Sequence, residues 1–194
     1  GNGLGGSILR KLLGQIPQIK TYTKNSEPNE LFPHHVPNPL VPENNNGLIT
    51  KLKQEQANIG LSLDQDGNSL LLVDELGNLI NPNITALLLS KIISEKYPNS
   101  KIGYDHKQSI GLELKAKEFN LTSIPVDSSF RIMNRTLREL DLIFASESNG
   151  TYYYKDFNYS SSTLFTLLLI VEYLNKKSLI FLTLKKYFLL ILHS

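Results

Sequence analysis

Apolar and polar positions fall into short blocks whose period alternates between helix-like and strand-like. Ile8 to Ile16 carries apolar residues at helical spacing with Arg10 and Lys11 on the other face, which predicts a helix that Ser7 could cap. Gln18 to Thr23 predicts a short strand. Asn25 to Asn46 holds Pro28, Pro33, Pro37, Pro39 and Pro42, and proline removes a backbone donor and fixes φ, so an ordered but irregular segment is expected. Pro42-Glu43 then opens a helix through Gln56, with proline in the first turn and an acid near the N-terminus. Asn58–Leu63, Leu70–Val73 and Asn78–Ile80 are apolar runs separated by the Asp64 loop and by Asp74-Glu-Leu-Gly77, the pattern of a small antiparallel meander.

The best boundary in the pattern is Pro82-Asn83. Asn83 is placed to cap an amphipathic helix, Ile84 to Tyr97, that Pro98 ends. Beyond it, strands and helices alternate: Lys101–Asp105, Ser109–Phe119, Leu121–Val126 and Ser128–Leu140. Two more strands, Leu142–Ser146 and Tyr152–Phe157, flank Glu147-Ser-Asn-Gly150, where Asn149-Gly150 predicts a type I′ hairpin turn. Alternation of this kind argues for layered α/β structure. Thr163–Leu174 predicts a buried helix and Phe181–Leu192 a further one. The uncharged run Ser160 to Val171 is well short of the roughly 20 residues that a membrane-spanning helix needs.

Composition narrows the function classes. Of 194 residues, 41% are apolar and 20% charged, an ordinary balance for a chain with a packed core. A net charge of +2 is too small to argue for nucleic acid or an acidic membrane surface as partner. Cysteine is absent, which excludes disulfides, thiolate metal sites and a cysteine nucleophile. Asn-x-Ser/Thr triplets begin at Asn83, Asn120, Asn134, Asn149 and Asn158, as chance predicts in so Asn-rich a chain. Gly1 to Gly6 is no signal peptide, so a cytoplasmic location is expected. A glycine loop of this kind normally follows a strand, which here would precede residue 1, so the chain is expected to be a piece cut from something longer or a gene product that begins partway through a fold.

Three local patterns could carry chemistry. Gly1, Gly3 and Gly6 match the spacing G-x-G-x-x-G, but the residues around Lys20 are basic or neutral where a dinucleotide site needs an acid. A strand-to-helix turn that needs small residues accounts for them better. His34 and His35 are adjacent, and neighbours on an extended segment point opposite ways, a poor metal pair. Asp64, Asp66 and Asn68 surround Gly67, so their oxygens can converge on a hard cation such as Mg²⁺. Judged alone, the same residues are better read as a plain Asp-Gly hairpin turn between two apolar strands.

The order of these elements resembles the middle of the α-D-phosphohexomutases, the phosphomannomutase and phosphoglucomutase family. The resemblance runs from Gly1 to about Lys177 and rests on several motifs in order. These are Asn2-Gly-Leu-Gly-Gly6, Phe32-Pro-His-His-Val-Pro-Asn-Pro39, Pro42-Glu-Asn44, Asp64-Gln-Asp-Gly67, Val73-Asp-Glu-Leu-Gly77 and Glu172-Tyr-Leu174. It implies two α/β/α layered domains with small mixed sheets, one over residues 1–82 without its opening strand and one over 83–178. A hydrophobic tail, 179–194, follows. The missing strand would leave one edge of the first sheet exposed.

The resemblance also implies transfer of a phosphoryl group between the C1 and C6 oxygens of a hexose phosphate, through a phosphoserine and with Mg²⁺. Such chemistry is largely positioning and electrostatics. The implied metal ligands are Asp64, Asp66 and Asn68. The family's third acid has become Asn68 and the arginine after it Ser69, so a ligand charge and a guanidinium fork are both lost. The implied substrate contacts are Lys107, Glu147 and Asn149, in a segment Ser146–Thr151 whose family histidine has become Thr151. A family Lys-x-Gly-His segment falls on Asp127, Ser128, Ser129 and Phe130, placing a negative charge where phosphate would sit. The family's Asp-Asp-Gly falls on Ser161, Ser162 and Thr163. No catalytic residue is assigned, because the phosphoserine and the phosphate loop belong to the family's first and fourth domains, and no Ser-His-Asn-Pro occurs in the chain. The expectation is a phosphohexomutase fragment inactive alone. The alternative is a non-catalytic remnant that binds sugar phosphate weakly or binds a protein. A separate chain carrying the missing domains could complement either.

Overall fold

The computed structural model describes residues 2–108, 110–127 and 130–177. Gly1, Ser109, Ser128, Ser129, the helix expected over Phe181–Leu192 and the hydrophobic tail lie outside the described residues. The chain divides into two compact units, Gly1–Ile80 and Asn81–Ser194.

The first unit begins with helix α1, Leu4–Leu13, earlier than the helix expected from Ile8 and with Gly3 rather than Ser7 as its N-cap. Ser7 lies inside the helix and its hydroxyl donates to the Leu4 carbonyl at 3.1 Å. Leu9 and Leu13 are buried, whereas Leu4, Ile8 and Leu12 are exposed. The strand expected over Gln18–Thr23 does not form. Among the described residues no strand pairs with this segment, and Tyr22 is held instead by Lys20 and Lys51, whose ammonium groups lie 4.9 and 5.6 Å from its ring centre. The helix expected from Pro42 is divided into a 3₁₀ turn, Pro42–Asn45, and α2, Asn46–Gln54.

Strands β1 (Ile59–Leu63), β2 (Leu70–Asp74) and β3 (Leu79–Ile80) form a sheet in that order. Both pairings are antiparallel, which is the meander that the three apolar runs predict. β2 is the central strand and is buried along its whole length, which explains why Leu70-Leu-Leu-Val73 is continuously apolar rather than alternating. Asp74 ends it. Though fully buried, its Oδ1 accepts the N–H groups of Leu76 and Asn78 and its Oδ2 the Asn78 side-chain amide, which folds the turn into β3.

The second unit starts with α3, Pro82–Lys96. Its cap is Asn81, whose side chain accepts from the Asn83 N–H at 2.9 Å, and not Asn83 as the pattern suggested. Proline fits the first helical position because its missing N–H would be unpaired there in any case. Then follow β4 (Lys101–Asp105), α4 (Ile110–Glu118), β5 (Thr122–Val126), α5 (Phe130–Glu139), β6 (Phe144–Ser146), β7 (Tyr152–Tyr154), β8 (Ser160–Ser161) and α6 (Thr163–Lys176). The expected strand Tyr152–Phe157 stops at Tyr154 and continues as a 3₁₀ turn, and β8 is a short strand the pattern did not show.

This sheet is mixed, in the order β5-β4-β6-β7-β8, with β4 parallel to both β5 and β6 and the last two pairings antiparallel. The β4–α4–β5 and β5–α5–β6 crossovers run in opposite directions along the sheet, so the right-handed rule places α4 and α5 on opposite faces. α4 and α6 accordingly pack beside α3. α5 contributes Met133 and Leu137 to a cluster with Val126, Leu142, Ala145 and Tyr153. Strand alternation divides the three tyrosines of β7. Tyr152 and Tyr154 share the face of Phe144, at ring distances of 6.4 and 5.5 Å, and their hydroxyls bond to the Pro82 carbonyl and the Thr166 hydroxyl. Tyr153 takes the other face.

Candidate functional site

In the second unit, the residues with chemical potential gather at the carboxyl ends of the parallel strands. That is where α/β sheets bind ligands, at the strand from which the order reverses, here β4. Asp105 is the last residue of β4 and only 1% exposed. Its Oδ1 accepts the Lys107 N–H at 2.7 Å, and its Oδ2 accepts the Ser148 N–H at 2.8 Å and the Ser148 hydroxyl at 2.9 Å. Lys107, on the loop after β4, is exposed.

The loop after β6 is a three-residue hairpin connection. Glu147 N–H donates to the Thr151 carbonyl at 2.9 Å and Gly150 N–H to the Glu147 carbonyl at 3.1 Å. Gly150 has φ +89°, while Asn149 is not among the residues with positive φ. The turn is therefore not the type I′ expected but a type I turn closed by a left-handed glycine. Glu147 is buried, 8% exposed. The Tyr153 hydroxyl donates to its Oε1 at 2.8 Å and the Asn149 amide to its Oε2 at 3.1 Å. Burial and the adjacent carboxylate push the Tyr153 hydroxyl well above the ordinary tyrosine range, so it stays a donor at every physiological pH. Beneath the turn, the Ser146 hydroxyl donates to Gln108 Oε1 at 2.8 Å, and the Gln108 amide reaches Asn83 Oδ1 at 3.3 Å. Lys107, Glu147 and Asn149, singled out in the sequence, thus lie on two loops that Asp105 bridges.

Asp127, beyond β5, lies with its Oδ1 3.6 Å from His106 Nε2, both side chains mostly exposed. Ser128 and Ser129 lie outside the described residues, and Ser161 and Ser162 sit in β8 and at the N-cap of α6, where the Ser162 hydroxyl accepts from the Phe165 N–H at 3.1 Å. Ser162 therefore serves helix initiation.

In the first unit, the Asp64 loop joins β1 to β2. Asp64 Oδ1 accepts the N–H groups of Asn68 and Ser69, at 2.8 and 3.1 Å, and the loop closes through an Asp64 N–H to Ser69 carbonyl bond of 3.2 Å. Asp66 and Asn68 are exposed. The glycines of the N-terminal motif face this loop. Leu4 N–H donates to the Gln65 carbonyl at 2.9 Å, and a Cβ on Gly67 would lie 2.7 Å from the Gly5 Cα. Their smallness serves the approach of α1 to the loop, which is a different use from a phosphate cradle. Among the described residues no group of three or more His, Asp or Glu side chains is gathered as a metal cage. His35 Nδ1 is bonded to the Val36 carbonyl at 2.9 Å and His34 is exposed, so the pair is not drawn into either site.

Sequence reasoning missed Asp105, Tyr153 and Gln108. The first carried a usable signal, an acid at the end of a strand followed by a parallel strand. The other two carried none, because their roles depend on which face of β7 meets Glu147 and on the packing beneath β6.

Comparison with known proteins gives consistent matches. The family model of phosphoglucomutase/phosphomannomutase alpha/beta/alpha domain II matches residues 1–77, and that of domain III matches residues 81–187. A phosphomannomutase of Salmonella typhimurium is 25% identical over 176 residues, covering 89% of this chain and 39% of that protein. A phosphoglucomutase of Neisseria gonorrhoeae is 30% identical over 156 residues, covering 80% of this chain and 34% of that protein. Among solved structures, a phosphoglucomutase/phosphomannomutase family protein of Burkholderia thailandensis superposes with TM-score 0.79 at 28% identity, over 85% of this chain and 36% of that one. The N-acetylphosphoglucosamine mutase of Aspergillus fumigatus, in complex with glucose 1,6-bisphosphate, shares the fold at TM-score 0.57 and 16% identity, over 97% of this chain and 43% of that one. The chain therefore spans well under half the length of these relatives.

Proposed function

Since the chain belongs to the phosphoglucomutase/phosphomannomutase family, through that family's domains II and III, we propose that it is a hexose-phosphate-binding part of a phosphohexomutase, without mutase turnover of its own. The observation that carries this reading is the buried Glu147 carboxylate, fixed by Tyr153 and Asn149 at the end of β6. Each carboxylate oxygen has two acceptor sites, so one bond to each leaves Glu147 able to accept from sugar hydroxyls. Asn149 adds a second polar group at the same turn, and exposed Lys107 offers a cation to the phosphate on the neighbouring loop.

The Asp64 loop extends the reading to a divalent cation. Its donors are hard oxygens of the kind Mg²⁺ prefers: the Asp64 oxygen not bonded to the turn, the Asp66 carboxylate and the Asn68 carbonyl. The donor set fits the ion in kind, with two negative charges. A bound Mg²⁺ would offset phosphate charge during phosphoryl transfer. Asp64 itself first holds the turn through the Asn68 and Ser69 amides, which keeps Asp66 and Asn68 on one loop whether or not a cation is present.

A second reading, a non-catalytic remnant that binds sugar phosphate weakly or binds a protein, is favoured by Asp127, which sets a carboxylate against His106 beside the Lys107 loop. Titration calorimetry with mannose 1-phosphate and glucose 1-phosphate, with and without Mg²⁺, separates the two. Mg²⁺-dependent heat at about millimolar affinity or tighter is the expected result. No heat at high ligand concentration would overturn the hexose-phosphate reading in favour of the remnant. The cytoplasmic location expected for such an enzyme stays part of the proposal. Among the described residues no helix is long and apolar enough to cross a membrane.

A further inference from the structure

We propose that Asp105 is a positioning residue that fixes the distance between the Lys107 loop and the Glu147–Asn149 turn by clasping both with one buried carboxylate. The two loops follow β4 and β6, which are neighbours in the sheet but far apart in sequence: Asp105 and Ser148 are separated by 43 positions. The carboxylate joins the loops above the Ser146–Gln108 hydrogen bond that links their bases. Oδ1 takes the Lys107 N–H and Oδ2 takes the N–H and hydroxyl of Ser148. A carboxylate this deeply buried is costly unless its oxygens are hydrogen-bonded, so each loop satisfies a charge that the other cannot satisfy alone. A ligand that carries both a phosphate and hydroxyls must meet Lys107 and Glu147 at once, and loops free to separate would hold only one end of it. The role rests on the hexose-phosphate reading above.

The bonding pattern makes the clasp specific to a carboxylate. An amide at this position has one oxygen and one NH₂, so it can accept from one loop but opposes a donor to the N–H of the other. D105N should therefore release one loop while preserving size. The test compares wild type, D105N and S148A by titration with glucose 1-phosphate, which needs both loops, and with inorganic phosphate, which needs Lys107 alone. D105N should weaken glucose 1-phosphate by about tenfold or more while inorganic phosphate binds as before. S148A removes only the hydroxyl bond and should give a smaller loss with the same sparing of inorganic phosphate. Amide exchange followed by NMR should show one of the two N–H groups, that of Lys107 or that of Ser148, losing protection in D105N. Equal losses for both ligands, or unchanged glucose 1-phosphate binding in both variants, would overturn the positioning role and leave the substrate reading standing. Should D105N fail to fold, S148A decides by the same comparison. Wild-type protein that takes up no hexose phosphate overturns the substrate reading and this role with it.

Discussion

Glu147 shows how much of a site one residue's surroundings determine. A carboxylate on a β-turn is ordinarily solvated, but here it is buried, with one oxygen committed to the Tyr153 hydroxyl and the other to the Asn149 amide. Removing one donor exposes the asymmetry of hydrogen bonding in a protein interior: the bond is modest, but a buried charge deprived of a partner is expensive. Tyr153→Phe keeps the ring in its cluster with Val126, Met133 and Leu137 and deletes only the donor. It should cost about 1.5–3 kcal/mol of stability, the range for hydrogen bonds to charged groups, read as a lowered denaturant midpoint with unchanged slope. Binding of glucose 1-phosphate should fall with it. Unchanged stability would mean that water replaces the tyrosine hydroxyl and that the turn is more open than its burial implies.

At the scale of elements, close approach explains features that propensity alone does not. Gly67 has φ +73° and faces Gly5 so closely that any side chain would meet backbone. Gly67→Ala combines left-handed strain with that clash, and backbone strain alone is worth about 1–3 kcal/mol. The variant should lose at least that much stability by chemical denaturation, and α1 should lose amide protection before the second unit does. The same comparison shows what the sequence could convey. Elements with a strong period and clear punctuation, such as α3, β4 and the Asp64 hairpin, were legible because their local signals agree with their tertiary setting. The strand expected over Gln18–Thr23 was not, since a strand depends on a neighbouring edge that no local pattern records. Boundaries shifted for small chemical reasons: Asn81 outcompeted Asn83 as cap because Pro82 suits the first helical position. In the candidate site, Glu147 and Asn149 were singled out through their motif, whereas the bridge that Asp105 makes to Ser148 became visible only once β4 and β6 were seen side by side.

At the scale of the whole molecule, the chain divides into two units, with the Asp64 loop in one and the Glu147 turn in the other. Its relatives are more than twice as long, so these 194 residues correspond to part of what a complete family member uses. Phosphoryl transfer needs a nucleophile as well as positioning, and no Ser-His-Asn-Pro sequence supplies the family's serine here. On the proposed reading, the Glu147 turn and the Asp64 loop would lower the energy of a bound sugar phosphate, but without a group to accept the phosphoryl they offer no lower-energy route for the transfer. The pure chain should therefore bind hexose phosphate without converting glucose 1-phosphate to glucose 6-phosphate, in a coupled assay at saturating Mg²⁺ and glucose 1,6-bisphosphate. Co-expression with a partner carrying the family's first and fourth domains should restore conversion if the two chains complement each other, and Glu147→Ala should then remove it. Turnover by the pure chain would sink this account, because it would require a nucleophile among residues that the proposed reading gives to binding and support.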